Sequence, residues 1–325
     1  MSPQSMQTIS SRKCLQCPPI RSWMVAAAML AASSLPSHAF ACACGCGVFD
    51  VGTSSLMCNG KGATVFLEYD FMNQDHNWSG TSKAPANDND DKQIRSHFYM
   101  AGLQYMFSRQ WGVMIDVPYT QRFFKTTDDA TGDIVGFTHE AFGDIRLQAL
   151  YAGFSSDMST GVSLGVKLPT GGFKDTNFDR DTAIGSGSTD LLLGLYHIGK
   201  IVHDNTWVWF GQAQWDKPLA IQGGYRPGAE IDAALGFYYN DLYLGRHTKL
   251  APILQLIGST RIKDSGPAAD PPNTGYDRLM ISPALELDYN SLKLYGDVEF
   301  PIYQHMNGNQ LVAPALFKFI ISYSL

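Results

Sequence analysis

The feature that most constrains this chain is an alternation of apolar and polar residues with a period of two. Residues 317–325 read FKFIISYSL, so every second side chain from Phe317 to Leu325 is apolar. Lys318, Ser322 and Ser324 fall on the other side of the run. Successive side chains of a β-strand point to opposite faces, so the pattern predicts a strand with one apolar and one polar face.

Twelve such runs follow one another along the chain. Most meet or exceed the length of roughly 9–11 residues that a tilted strand needs to cross a bilayer. The connections alternate between short ones, such as 108–110 and 290–291, and longer polar ones, such as 125–138 and 263–274. No window after residue 41 holds 18 consecutive apolar residues, which argues against membrane-spanning helices. The runs are 63–71, 96–107, 111–124, 139–153, 160–170, 187–199, 206–217, 228–240, 247–262, 275–289, 292–304 and 310–325.

An even strand number with alternating connection lengths is typical of outer-membrane barrels. The sequence therefore predicts an all-β fold, an antiparallel transmembrane β-barrel of about twelve strands over residues 63–325, with both termini periplasmic. Such chains usually end in an aromatic residue that the barrel assembly machinery reads. Here the last residue is Leu325, behind Tyr323.

Residues 1–41 have the pattern of an export signal. Arg12, Lys13 and Arg21 precede an apolar, Ala-rich stretch, and Ala39 and Ala41 form a small-x-small cleavage site. Removing the three basic residues of this signal from the 24 Lys and Arg leaves 21, against 30 Asp and Glu. This acidic balance argues against a nucleic-acid partner, because no basic surface is available.

The next segment, 42–62, is rich in cysteine. It contains Cys42, Cys44, Cys46 and Cys58, and no cysteine follows. In an oxidising periplasm the four thiols favour disulfides, with Cys58 the natural partner for one of the other three. Four thiolates would also suit a tetrahedral Zn²⁺ or a soft Cu(I) ion. A third possibility is a lipid anchor on Cys42.

The polar faces of the strands carry the charged residues of the predicted lumen. Acidic residues outnumber basic ones there, which favours cations in a pore. The acidic set is Glu68, Asp70, Asp116, Asp144, Asp190, Asp216, Glu230, Asp232, Glu286, Asp288, Asp297 and Glu299, and the basic set is Arg122, Arg146, Lys167, Lys249, Arg261, Arg278, Lys293 and Lys318.

One group of lumen residues is more specific. Asp144, Lys167 and Asp190 lie at the ends of consecutive predicted strands, at similar height near the outer rim. We expect Lys167 to lie between the two carboxylates, with Arg146 nearby, either to brace a polar lumen or to contact a ligand below the loops. The cluster is flanked by glycine-rich stretches, KLPTG at 167–171 and GSGSTD at 185–190.

These stretches, together with FGDIRL at 142–147, resemble the outer-membrane transporter family named after the meta-pathway of phenol degradation (MetA-type). That family is loosely related to the barrels that take up fatty acids and toluene. The resemblance covers about residues 139–200. It implies an outer-membrane barrel that moves small, often hydrophobic molecules. By analogy with those barrels, segment 42–62 is expected to be a plug inside the lumen. The alternative is a periplasmic tail that docks a partner.

Other chemistry receives weaker support. No GxSxG elbow opens a helix and the histidines fall mostly at strand ends, so we expect no enzyme activity. The oxygen-rich stretches 87–91 and 175–181 lack EF-hand spacing for Ca²⁺. Inward-facing Met100, Met106 and Met114 offer thioethers to Cu(I), although methionine more often fills irregular space.

The sequence thus predicts a channel or transporter in the outer membrane of a Gram-negative bacterium, passing small, possibly hydrophobic or aromatic, solutes passively. Its expected partners are outer-membrane lipid, a small-molecule solute and the barrel assembly machinery. No cofactor is expected, apart from a metal at the cysteine cluster. The alternative is a metal-binding (copper or zinc) or structural barrel that has no open pore.

Overall fold

The computed structural model describes residues 51, 52, 57, 58, 60–128, 130–175, 177–201 and 206–325. The described chain consists almost entirely of β-strands, with two short 3₁₀ turns at Ala86–Asp88 and Pro271–Asn273. None of its helical segments is long and apolar enough to cross a membrane. The strands are β1 (Gly62–Gln74), β2 (His76–Gly80), β3 (Ser82–Lys83), β4 (Asp91–Met106), β5 (Trp111–Thr127), β6 (Ile134–Phe142), β7 (Arg146–Tyr151), β8 (Thr160–Lys167), β9 (Ser188–Lys200), β10 (Trp207–Ile221), β11 (Glu230–Tyr239), β12 (Leu242–Tyr243), β13 (Thr248–Arg261), β14 (Tyr276–Tyr289), β15 (Leu292–Val312) and β16 (Leu316–Ser324).

The sheet closes on itself as an antiparallel barrel. Each long strand pairs with the next one along the chain, and β16 pairs with β1 from Thr64 opposite Ser324 to Met72 opposite Leu316. The segments β6 and β7 both pair with β5 and together form one wall strand. The wall therefore has twelve strands, which confirms the predicted fold.

Side-chain exposure follows the predicted alternation. On β16, Phe317, Phe319 and Ile321 are 39–43% exposed, whereas Lys318 and Ser322 are 2–3% exposed. The apolar side chains face outward and the polar ones face the lumen. All twenty charged residues expected on the lumen face are buried or half-buried. A polar interior and an apolar exterior are what a barrel surrounded by lipid requires.

The two ends of the barrel differ. At the short-turn end lie the beginning of β1, the end of β16 and the connections 107–110, 152–159, 201–206, 240–247 and 290–291. At the long-loop end lie the connections 75–90, 128–133, 168–187, 222–229, 262–275 and 313–315. Exposed aromatic rings gather at the short-turn end, where the ring of Trp111 packs against Tyr151 in a tilted contact and Trp207 meets Tyr239 edge to face. That the short-turn end faces the periplasm stays a prediction.

Several predicted strand boundaries differ from the structure, and two of these differences change how the strands are divided. The expected break between 304 and 310 is absent, because Met306 and residues 309–312 at the end of β15 pair with the small strand β2 above the barrel rim. The predicted run 139–153 is instead interrupted between Phe142 and Arg146. The interruption faces Pro118 of β5, which has no N–H to donate, and Gly143 N donates to the Pro118 carbonyl at 2.8 Å.

The lipid-facing surface can be tested at Phe319, near the middle of β16. Replacing Phe319 with Arg should destabilise the barrel in vesicles by about 2–4 kcal/mol, because a charge at mid-depth in the bilayer is poorly solvated. Denaturant unfolding in lipid vesicles measures the effect. Phe319→Leu is the volume control, and Tyr323→Arg near the strand end should cost only about 0–1 kcal/mol. Equal losses at Phe319 and Tyr323 would contradict the assigned membrane depth.

Candidate functional site

The lumen contains a cavity of about 210 Å³ towards the long-loop end, here called the upper cavity. All four predicted ligand candidates, Asp144, Arg146, Lys167 and Asp190, line it. Acidic side chains outnumber basic ones in the lining. The charged lining residues are Glu68, Asp70, Asp144, Asp181, Asp190, Asp216, Glu230 and Asp232, with Arg122, Arg146, Lys167, Arg180 and Arg261.

A row of charges crosses four neighbouring strands at the base of this cavity. Asp116 of β5 is opposite Arg146 of β7, Arg146 is opposite Lys167 of β8, and Lys167 is opposite Asp190 of β9. Directly opposed residues in an antiparallel pair point to the same face of the sheet. The row therefore presents two basic residues to the lumen, flanked by an acidic residue on each side.

Lys167 does lie between two carboxylates, but one of them differs from the expectation. Its Nζ is 2.5 Å from Asp190 Oδ2 and 2.5 Å from Asp216 Oδ2. Asp144 was the expected partner in place of Asp216. The predicted run ends at residue 217, whereas β10 continues to Ile221. Within β10, Pro218 pairs with Asp190, and Asp216 lies two residues before Pro218.

Asp144 lies in the interruption between β6 and β7, and its role differs from the expected pairing with Lys167. Its carboxylate accepts hydrogen bonds from Gly171 N at 2.9 Å, from Ser186 N at 2.7 Å and from the Ser186 hydroxyl at 2.5 Å. An irregularity of this kind in a strand re-aims one side chain. Here the re-aimed carboxylate ties together the two ends of a long connection.

That connection, residues 168–175 and 177–187, is called the inward loop. Its ends approach so closely at Gly171 and Gly185 that a Cβ on Gly185 would lie 2.4 Å from the Gly171 carbonyl group, so position 185 must be glycine. Arg122 on β5 donates to the carbonyl oxygens of Thr182 at 2.5 Å and Ala183 at 3.2 Å. The inward loop is therefore fixed to the barrel wall and lines the upper cavity.

Three loops meet at the mouth of the upper cavity. The guanidinium of Arg180 in the inward loop lies over the ring of Tyr225, 4.4 Å from its centroid. The Tyr225 hydroxyl donates to Asp264 Oδ2 at 2.6 Å, and Arg261 donates to Asp264 Oδ1 at 2.8 Å. Sequence reasoning missed Arg180 and Tyr225, because their partners come from other loops and no local pattern links them.

Asp181 is the neighbour of Arg180 and also lines the upper cavity. Burial raises the pKa of its carboxyl well above the ordinary value, and the charges of Asp179, Asp91 and Asp264 raise it further. Within the described part of the chain, its Oδ2 has no hydrogen-bond partner. This oxygen is an acceptor that a solute carrying N–H or O–H groups would satisfy.

A second cavity of about 110 Å³ adjoins the first on the side of the short-turn end, and is called the lower cavity. Glu68, Met100 and Arg146 border both cavities. The lining of the lower cavity is otherwise less charged and includes Cys58, whose side chain is 4% exposed and free of a disulfide. Burial raises the pKa of the Cys58 thiol. Cys42, Cys44 and Cys46 lie outside the described residues.

Four described residues of segment 42–62, Val51, Gly52, Met57 and Cys58, are buried inside the barrel. Val51 is fully buried, and its carbonyl oxygen accepts a hydrogen bond from Lys318 Nζ at 3.1 Å. Gly52 N donates to Gln212 Oε1 at 3.2 Å, and the Tyr295 hydroxyl donates to Gly52 O at 2.7 Å. Three strands of the wall thus hold the backbone of this segment by side-chain hydrogen bonds.

Lys318 is also the basic centre of an acidic patch on β1, β15 and β16. The charges of Glu68, Asp70, Asp297 and Glu299 all act on its ammonium group. Four carboxylates around one lysine leave this side of the lumen strongly acidic. Among the described residues, no group of three or more His, Cys, Asp or Glu is placed to hold a metal ion.

Comparison with known proteins supports the fold. No family model matches the chain, and no curated protein matches it. Among solved structures, the COG4313 outer membrane channel from Pseudomonas putida F1 aligns with a TM-score of 0.60 and 13% identity, over 85% of this chain and 100% of that chain. The β domain of the Bordetella autotransporter BrkA aligns with a TM-score of 0.47 and 12% identity, over 82% of this chain and 100% of that one. The Pseudomonas putida toluene transporter TodX aligns with a TM-score of 0.38 and 11% identity, over 86% of this chain and 93% of that one.

The Lys167 cluster can be tested by removing its cation. Lys167→Met should destabilise the barrel by about 3 kcal/mol or more, because Asp190 and Asp216 would then face each other without a counter-charge. Denaturant unfolding measures the loss, and adding Asp216→Asn should restore part of it. Lys293→Met is the control, since Lys293 lies 3.6 Å from Glu286 at the half-exposed short-turn end and should cost no more than about 1 kcal/mol. A loss of the same size for both single variants would contradict the assigned role of Lys167.

Proposed function

We propose that this protein is an outer-membrane channel that passes small polar solutes passively, gated by the segment that includes Val51 and Cys58. The observation that carries the proposal is a closed barrel with an apolar exterior whose charged lumen contains two adjoining cavities. The fold shared with an outer membrane channel supports it. The export signal and the lipid-facing exterior support a location in the outer membrane.

The lining of the upper cavity favours a polar solute. Charged groups lose hydration when an apolar molecule displaces their water, and an apolar molecule offers no hydrogen bonds in exchange. A solute with donor groups would replace the lost hydrogen bonds at Asp181 and at the Lys167 cluster. The acidic excess favours cations over anions. The hydrophobic or aromatic solute implied by the family resemblance stays a prediction, and it fits this lining less well.

The segment around Val51 and Gly52 is proposed to be the plug. Its backbone is bonded to Lys318, Gln212 and Tyr295, so it occupies lumen space that a solute would otherwise cross. The two bonds of Gly52 join neutral groups and have a net strength of about 0.5–1.5 kcal/mol each, whereas the bond from the charged Lys318 ammonium to Val51 O contributes about 1.5–3 kcal/mol. The plug can therefore leave or shift without any strand of the wall being broken.

The plug predicts a difference in conductance between two forms of the protein. In planar bilayers the chain that starts at Cys42 should conduct little, whereas a chain that starts at Lys61 should conduct more and prefer cations. The reversal potential in a salt gradient measures the preference. Equal conductance from both forms would refute the plug and leave an open channel. If neither form conducts, the channel is refuted and the metal-binding or structural barrel is favoured.

The inward loop predicts a second effect on conductance. Asp144→Ala removes the three hydrogen bonds that hold residues 171 and 186 together, so the loop should move more freely. In the chain that starts at Lys61, single-channel recordings should show a larger and noisier current. Asp128→Ala is the matched control, because among the described residues that carboxylate accepts hydrogen bonds from Ala130 and Thr131 of its own loop. Identical currents from the two variants would show that the inward loop does not restrict the pore.

A further inference from the structure

The lower cavity has an unusual lining of sulfur atoms. Met57, Cys58, Met100 and Met114 all border it, and these four side chains are called the sulfur chamber. Met106 packs in the same buried cluster as Cys58. The four residues come from three parts of the chain, namely the segment before β1, strand β4 and strand β5. Only the closed barrel brings them together.

Methionine in a protein interior usually fills irregular space. In the sulfur chamber three methionines border a cavity of about 110 Å³ that they leave open, and the fourth sulfur is a thiol without a disulfide. A cavity of this size is larger than one water molecule needs. The lining therefore offers room for an occupant next to one thiol and three thioethers.

The charge of the surroundings favours a cation. Glu68 and Asp116 border the lower cavity, and Arg146 is the basic residue among them, so the charged lining is net negative. Gln104, which is 7% exposed, donates its Nε2–H to Cys58 Sγ at 3.2 Å. A donor of this kind stabilises a thiolate and orients a metal-bound sulfur. Thiolate and thioether sulfur are soft ligands that select Cu(I), whereas Ca²⁺ and Mg²⁺ prefer oxygen.

We propose that the sulfur chamber binds one soft monovalent cation of the Cu(I) class, with Cys58 as the main ligand and the thioethers of Met57, Met100 and Met114 completing its coordination. On binding, the Cys58 S–H bond breaks, its proton goes to solvent and a sulfur–metal bond forms. The metal keeps its +1 charge, so no oxidant or reductant is needed. The site goes beyond the proposed channel, because metal binding does not require that any solute be transported.

The test uses the full chain with Cys14, Cys17, Cys42, Cys44 and Cys46 replaced by serine, so that Cys58 is the one remaining thiol. Two probes are titrated into the detergent-solubilised, folded barrel: Ag⁺, which does not change its oxidation state, and Cu(I) under anaerobic conditions against a competing chelator. We expect one equivalent of either ion to bind. Zn²⁺, whose usual protein ligands are thiolate, imidazole and carboxylate groups and not thioethers, should not compete.

Three variants of this background locate the site. Cys58→Ser should abolish binding. Replacing Met57, Met100 and Met114 together with leucine should weaken binding at least about tenfold, which is about 1.4 kcal/mol. The matched control replaces Met280 and Met306, which are buried and pack in other clusters, with leucine and should leave binding unchanged. Methionine-to-leucine changes nearly conserve volume, so the barrel should fold in each case.

Resistance of the folded barrel to unfolding at room temperature in a denaturing gel confirms that each variant is intact. The proposal fails if the background chain binds neither ion. It also fails if the triple leucine variant binds as tightly as the background, because a buried thiol alone would then be the ligand. Equal weakening by the Met280 and Met306 control would likewise overturn it.

Discussion

The structure depends on the hydrogen-bonded closure between β1 and β16. In lipid, every backbone N–H and C=O group needs a partner within the protein, since an unsatisfied group costs several kcal/mol. The ladder from Thr64 opposite Ser324 to Met72 opposite Leu316 removes the two open edges that the sheet would otherwise have. Once the barrel is closed, the side-chain alternation has one allowed sense, apolar outward and polar inward. Most charges of the wall strands must then be accommodated in the lumen.

The accommodation of these charges explains most of the internal structure. A charge in a narrow lumen has little water, so it needs a counter-charge or hydrogen bonds. Lys167 forms ion pairs with Asp190 and Asp216, and Arg122 donates hydrogen bonds to carbonyl groups of the inward loop. Lys318 is surrounded by carboxylates and also bonds to the backbone of Val51. The inward loop and the N-terminal segment therefore add carbonyl acceptors to the partners that the wall strands supply.

The fold could be predicted because the alternation and the loop lengths are local signals that are repeated twelve times. The details of the candidate site were less accessible. Asp144 was assigned to a regular strand, since the sequence gives no simple sign that Pro118 on the neighbouring strand would interrupt the ladder. Asp216 was placed on the correct face, but its distance from Lys167 depends on how far β10 continues. Tyr225 meets Arg180 only through the packing of two loops, for which periodicity carries no information.

The same reasoning constrains how the lumen can open. A water-filled pore would hydrate the charges of the wall. Removal of the plug therefore replaces hydrogen bonds to the protein by hydrogen bonds to water, and each wall charge stays solvated. The bonds of Gly52 to Gln212 and Tyr295 join neutral groups, and such bonds contribute little net stability because water replaces them well. The pair of Lys167 with Asp190 and Asp216 is different, because it joins wall strands and survives any movement of the plug. The lumen therefore combines a fixed charged wall with a weakly held centre, which is the physical requirement for a barrel that opens without unfolding.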